Sequence, residues 1–180
     1  EDECGSCVDI DGNSYETIQI GEQEWMAENL KVTHYNNGDA IPTGYSNSEW
    51  VDLDETETGA YAIYDDDPSN AEIYGNLYNW YTVDDERGIC PEGWHVPSDD
   101  EFTVLTDYLG GTSVAGGKMK EAGLEHWNSP NTGATNDSGF TGLPSGYRSD
   151  STGGYGDIGG YGDFWSSSEG SSTSTLARVL

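Results

Sequence analysis

Residues Cys90 to Ser98, CPEGWHVPS, decide how this chain is read. Ser98 stands three residues before Glu101, the spacing of a capping box, in which a hydroxyl and a carboxylate satisfy the free N–H groups at a helix start. Asp99 and Asp100 put negative charge at the positive end of the helix dipole. Pro97 restricts the residue before it to extended backbone, so no helix runs in from upstream. Phe102, Leu105 and Leu109 form one apolar stripe, and Gly110-Gly111 supplies the stop. On the other side, Gly93-Trp94 reads as a turn with an aromatic anchor, and Cys90 as a candidate half-cystine. The segment is a junction that launches a helix before it is a reaction centre.

Working toward the N-terminus, Val8 to Ile20 reads as a hairpin turning at Asp11-Gly12-Asn13, and Gly21-Glu22 makes a second turn before Glu24-Trp25-Met26. Ala27 to Val32 fits a short strand or a helical turn. Tyr45 to Thr58 is an acidic, polar segment anchored by Trp50. Ala60 to Tyr64 reads as a strand and Asp65 to Asn70 as an acidic turn. Ile73, Leu77, Tyr78 and Tyr81 share one helical face, so a helix is expected over 73–83. Beyond Gly111 the chain turns loop-rich. Gly116 to Glu121 fits a brief strand or turn, and Trp127 to Phe140 is nearly all turn formers. The last strands are expected at Asp163 to Ser168 and Thr175 to Leu180. Two helices followed by loops and late strands give an α+β fold in one domain, residues 8–180, behind a tail, 1–7, that carries a cysteine pair.

Composition limits the partners. Of 180 residues, 34 are Asp or Glu and 6 are Lys or Arg, a formal net charge of −28. Phosphates would be repelled, which excludes nucleic acid and anionic membrane surfaces. No stretch approaches the ~20 apolar residues of a membrane span, so no membrane insertion is expected. Only 33% of residues are hydrophobic, yet there are 6 Trp and 12 Tyr, so aromatics must supply much of the core. The opening Glu1-Asp2-Glu3 resembles a processed N-terminus.

The three cysteines, Cys4, Cys7 and Cys90, do not make a metal site. Zinc needs about four ligands, and neither a second C-x-x-C nor a His pair completes one. Val8 stands where a c-type haem needs His. Disulfides in an oxidising compartment are expected instead, with one thiol left over by the odd count.

Four blocks then carry a resemblance. They are DIDGNSYETIQIGEQEWMAENLKVTHYNNGDAIP, YGNLYNWYTVDDERGICPEGWHVPS, GGKMKEAGLEHWNSPNTGATNDSGFTGLPSGYR and FWSSSE. In this order they resemble the Fibrobacter succinogenes major paralogous domain family, over nearly the whole chain from Val8 to Leu180. The resemblance implies a secreted or surface-attached bacterial protein. It also implies a fold related to the C-type lectin-like fold of formylglycine-generating enzymes, with two helices, small antiparallel sheets and a long irregular loop region. Family members continue beyond the position of Leu180 into a last strand ending in a Gly-Phe-Ser-Val-Arg-Cys-like stretch, whose Cys would be the natural partner of Cys90. The cysteine pair of formylglycine-generating enzymes lies late in their chains, and this chain has no cysteine after Cys90, so that activity is not expected.

No catalytic residue is assigned. His95, between Trp94 and Val96, and His126, between Glu125 and Trp127, read as packed structural residues. No Gly-x-Ser-x-Gly, Walker or His-Glu-x-x-His sequence is present. Calcium is the expected cofactor, because hard oxygen ligands gather in the loops. The first set is Asp65, Asp67, Asn70 and Glu72; further sets are Asp84, Asp85 and Glu86, and Asn131, Asn136 and Asp137. Solvated turns are the alternative for each. A ligand surface is expected in the late loops at Tyr147, Arg148, Tyr155, Tyr161, Trp165 and Glu169. Flat aromatic faces beside directed polar groups suit a glycan there, and Tyr and Trp also suit a protein contact. The functional expectation is an extracellular or cell-surface adhesion module that binds a glycan or a surface protein and is not an enzyme. The alternative is a structural subunit that self-assembles by strand addition or intermolecular disulfides.

Overall fold

The computed structural model describes residues 5–171 and 174–180, with side chains outside 169–176. Strands β1 (Ser6–Val8), β2 (Ser14–Ile20) and β3 (Gln23–Met26) form an antiparallel sheet in the order β1-β2-β3. Helix α1 spans Asn47–Thr56. Strand β4 (Tyr61–Ala62), a 3-10 turn at Tyr64–Asp66 and helix α2 (Pro68–Tyr74) follow. Strand β5 (Leu77–Tyr78) pairs with β4 and leads into helix α3 (Trp80–Val83). Helices α4 (Asp99–Tyr108) and α5 (Ala115–Met119) precede an irregular run. That run ends in two hairpins, β6 (Tyr147–Arg148) with β7 (Tyr155–Gly156) and β8 (Asp163–Ser171) with β9 (Ser174–Val179). The described residues form a mixed α+β fold with small antiparallel sheets and, among them, five α-helical segments rather than two.

The junction forms as its sequence dictates. Ser98 Oγ accepts from Glu101 N–H, and the Glu101 carboxylate accepts from Ser98 N–H at 2.8 Å. Phe102, Leu105 and Leu109 are buried, and they meet Ile20, Trp25, Met119 and Phe140 in the largest core cluster. Burying each side chain of this size stabilises the fold by about 1.5–3 kcal/mol. The rings interlock, with Trp25 5.3 Å from Phe102 and 5.9 Å from Phe140 between centroids. The junction also anchors the late hairpin. Ser167 N–H donates to the Pro97 carbonyl, Asp99 N–H donates to Ser168 Oγ, and Arg178 pairs with Asp99. One segment therefore fixes both the start of α4 and the position of β8.

Three expectations are corrected, and one segment without an assigned element gains one. The helix expected over 73–83 is broken in two. Gly75 ends α2 at φ 72°, a left-handed value that disfavours a side chain, and the Asn79 side chain caps α3. Asn76 and Tyr78 are drawn onto the carbonyls of Lys31 and Val32, so the apolar spacing of Ile73, Leu77, Tyr78 and Tyr81 does not lie on one helix. The polar segment 45–58, for which no element was expected, contains helix α1, opened by a second capping box at Ser46 and Glu49 and anchored by Trp50, which is buried with Leu53. Gly116 to Glu121 is largely α5, with only Lys120 bridging to Gly142. The tail expected through Cys7 enters the sheet at Ser6, and Cys7 lies in β1.

Candidate functional site

A groove of about 1480 Å³ crosses the molecule. Its walls come from β3 and the segment after it, from β5 and α3, from the Gly93-Trp94 corner, and from β6, β8 and β9. Each wall is set by a local rule. Asn79 starts α3 by accepting from Thr82 N–H, which places Trp80 and Tyr81 in its first turn. Gly93, at φ 85°, makes the corner that presents Trp94. Trp165 on β8 donates its Nε1–H to the Tyr78 carbonyl at 2.7 Å, locking its ring 6.0 Å from that of Trp80. Trp80, Trp94 and Trp165 are all only partly buried and all line the groove.

Carboxylates rim these aromatic faces. Burial, then the charge of Asp157, pushes the Asp163 carboxyl above its ordinary value. The Tyr81 hydroxyl donates to Asp54 at 2.7 Å, and this bond leads the causes that push the phenol up to about 12. Glu101 meets opposing influences. Burial would raise it, but Ser98 N–H, His95 and the Ser98 hydroxyl together hold its carboxyl below the ordinary value. Three buried polar atoms of groove-lining residues, Gln23 Oε1, Trp25 Nε1 and Asn76 Oδ1, have no protein partner among the described residues.

Of the six residues expected to bind a ligand, Tyr147, Arg148 and Trp165 line this groove. Arg148 is spent on the fold. Its guanidinium donates to the carbonyls of Gly153 and Tyr45 and lies against the rings of Trp50 and Tyr155. Tyr155 donates to Asp66 and packs on Tyr64, away from the groove. Tyr161 is half-exposed elsewhere. The side chain of Glu169 lies outside the described residues, as does Cys4. Trp80 and Tyr81 were expected inside a longer helix and Trp94 as a turn anchor, so their place in one groove wall was not legible in the sequence.

The first calcium set does not converge on one point. Asp67 caps α2 by accepting from Ser69, Asn70 donates to the Tyr64 carbonyl, and Glu72 pairs with Lys31 at 2.9 Å. Asp85 is paired with Arg87. Asn131 donates to the carbonyls of Glu121 and Gly123, and Asn136 to Thr141. Among the described residues, no three His, Cys, Asp or Glu side chains gather in one group. His95 corrects the expectation of packing. Its side chain is 68% exposed and pairs with Glu101 at 2.8 Å. His126 does pack, edge-on to Tyr74 and 2.8 Å from Glu121.

The family model for the Fibrobacter succinogenes major domain matches residues 18–180. The chain belongs to that family. No curated protein and no solved structure matches it. The matched region of this Fibrobacter succinogenes major domain runs from β2 to the last residue, so it contains every wall of the groove. Cys7 and the rest of β1 lie before it.

Proposed function

We propose that this Fibrobacter succinogenes major domain is a non-enzymatic binding module with a C-type lectin-like fold, acting outside the cell or at its surface, and that its aromatic groove holds a glycan. The observation that carries this reading is the pair Trp80 and Trp165, two part-exposed indoles fixed 6.0 Å apart in the groove wall. Sugar rings present flat C–H faces that pack on such indoles, while carboxylates at the rim accept from their hydroxyls.

Titrating a panel of neutral, acidic and amino-sugar oligosaccharides while following tryptophan fluorescence tests the proposal. A saturable change that Trp80→Ala weakens at least tenfold supports it. A panel with no response, from protein shown to be folded, overturns it.

A second reading is assembly by strand addition. It rests on β3, an edge of its sheet that is paired among the described residues with β2 alone and that borders the groove. Concentration-dependent growth in light scattering, abolished by Glu24→Pro in that edge, would favour it over the glycan reading.

A further inference from the structure

We propose that Cys7 and Cys90 are joined by a disulfide in the mature protein, pinning β1 to the junction that precedes α4. The two residues reach the same place from opposite ends of the fold. Cys7 pairs with Tyr15 across β1 and β2, and both side chains are buried while Ser6 and Val8 are exposed, so the pair faces inward. The inner face of this hairpin rests on the segment around Lys31, whose N–H donates to the Tyr15 hydroxyl at 3.0 Å. Leu30 and Val32 flank Lys31; Val32 belongs to the buried cluster it forms with Tyr35, Ile41 and Ile89, and both Leu30 and Cys90 pack against that cluster. Cys90 is held there by its own backbone, since its carbonyl accepts from Asn36 Nδ2.

The electrostatics agree with this closeness and disfavour the other uses of a thiol. Both cysteines are thiols in the structure. Burial pushes the Cys90 thiol up to about 11, and the charge of Cys7 adds to that rise. Burial, then Glu24, raises the Cys7 thiol too. A nucleophilic or metal-binding cysteine needs the reverse, a thiolate favoured by neighbouring cations. A buried thiol and a part-buried one, each raised above its ordinary value and the first disfavouring the charge of the second, fit a structural cross-link.

The reaction removes one proton and one electron from each thiol. An external disulfide, small or carried by an oxidoreductase, accepts both electrons, its S–S bond breaking to two thiols as the Cys7–Cys90 bond forms. The cross-link would close a loop of about 80 residues, and the chain-entropy gain from a disulfide grows with loop length. It rests on placement in an oxidising compartment, not on the glycan reading.

The test is peptide mapping of protein exported to an oxidising compartment, alkylated before unfolding and digested without reductant, with fragmentation to place each modified cysteine. The expected product is a peptide pair linked through Cys7 and Cys90, with Cys4 alkylated. Alkylated Cys90, a Cys4–Cys7 link or a Cys90–Cys90 dimer would each overturn the proposal. Thermal melts give a second readout. Reductant should lower the midpoint of the wild type by roughly 10 °C and leave the Cys7→Ser/Cys90→Ser double variant unmoved. Equal loss in both would also sink it.

Discussion

The guanidinium of Arg148 lies 4.4 Å from the centroid of the Trp50 ring. Arg148 is on β6 and Trp50 is in α1, so this one contact fastens the late loops to the first helix. The same side chain reaches the carbonyl of Tyr45, just ahead of the Ser46 cap. A stacked, multiply donating arginine cannot be replaced by lysine without loss. Arg148→Ala should cost about 2–3 kcal/mol and Arg148→Lys more than half of that, from the lost charge-assisted bonds and the cation–π contact. Thermal melts should show midpoints lower by roughly 4–10 °C. A lysine variant as stable as wild type would mean that the stack contributes nothing.

Gly153 lies in the same neighbourhood and allows a sharper contrast. It has φ 69°, and a Cβ built on it would run into the Asn47 backbone at the start of α1. Gly93 has φ 85°, but open space surrounds its Cβ position. Both alanine variants bear the left-handed strain, about 1 kcal/mol. Only Gly153→Ala must also displace a helix. The expected losses in urea melts are about 1 kcal/mol for Gly93→Ala and at least twice that for Gly153→Ala. Equal losses would place the strain in the backbone alone.

Both ten-residue helices carry the same sequence signal, yet only one was legible. Ser98 and Glu101 precede a clean stripe of Phe102, Leu105 and Leu109. Ser46 and Glu49 make the identical box, but α1 buries only Trp50 and Leu53 in an otherwise polar segment, so periodicity offers nothing to confirm it. The opposite error at 73–83 has the same root. Periodicity was present there, but Gly75 and the side-chain bonds of Asn76 and Asn79 broke the helix. The first hairpin was readable because alternation and the Asp11-Gly12-Asn13 turn mark it, and the two late strands were expected close to where β8 and β9 lie. The groove was not, because Trp25, Trp80, Trp94 and Trp165 come from four separate segments and only tertiary packing brings them together. Replacing each cap serine by alanine should therefore cost similar amounts, about 1 kcal/mol apiece. Ser46→Ala much cheaper than Ser98→Ala, by chemical denaturation, would show that α1 is held by Trp50 and Leu53 alone.

The acidic loops invite a test of metal against simple screening. A formal charge of −28 repels itself at neutral pH, so sodium chloride should raise the thermal midpoint. Asp67 and Glu72 already have partners in Ser69 and Lys31. Calcium and magnesium at equal concentration should therefore raise the midpoint alike. A calcium-specific rise that Asp67→Asn removes would restore the acidic turn as a calcium site.

The response to acid should have two limbs of opposite sign. As pH falls from 7 toward 5, exposed carboxylates begin to titrate and the self-repulsion eases, so stability should rise. Asp163 acts in the same direction. Burial, then Asp157, raises its folded value above the ordinary 3.8, so its contribution is complete below 3.8 and is lost as pH climbs through the raised value. Glu101 acts the other way. Burial opposes its ionisation, but the bonds from Ser98 and His95 hold its folded value below the ordinary 4.5. Its stabilisation is complete above 4.5 and is lost as pH falls through that depressed value. Asp11 follows the same rule from an ordinary 3.8: burial opposes its ionisation, but bonds from Thr33 and His34 outweigh it. The midpoint measured at constant ionic strength should therefore peak near pH 5 and drop below about pH 4. Molar salt should flatten the upper limb and spare the lower one, because short hydrogen bonds screen poorly. Glu101→Gln should lower the plateau and make the acid limb shallower. A midpoint that falls steadily from pH 7, in low salt as in high, would show that self-repulsion does not govern the stability of this chain.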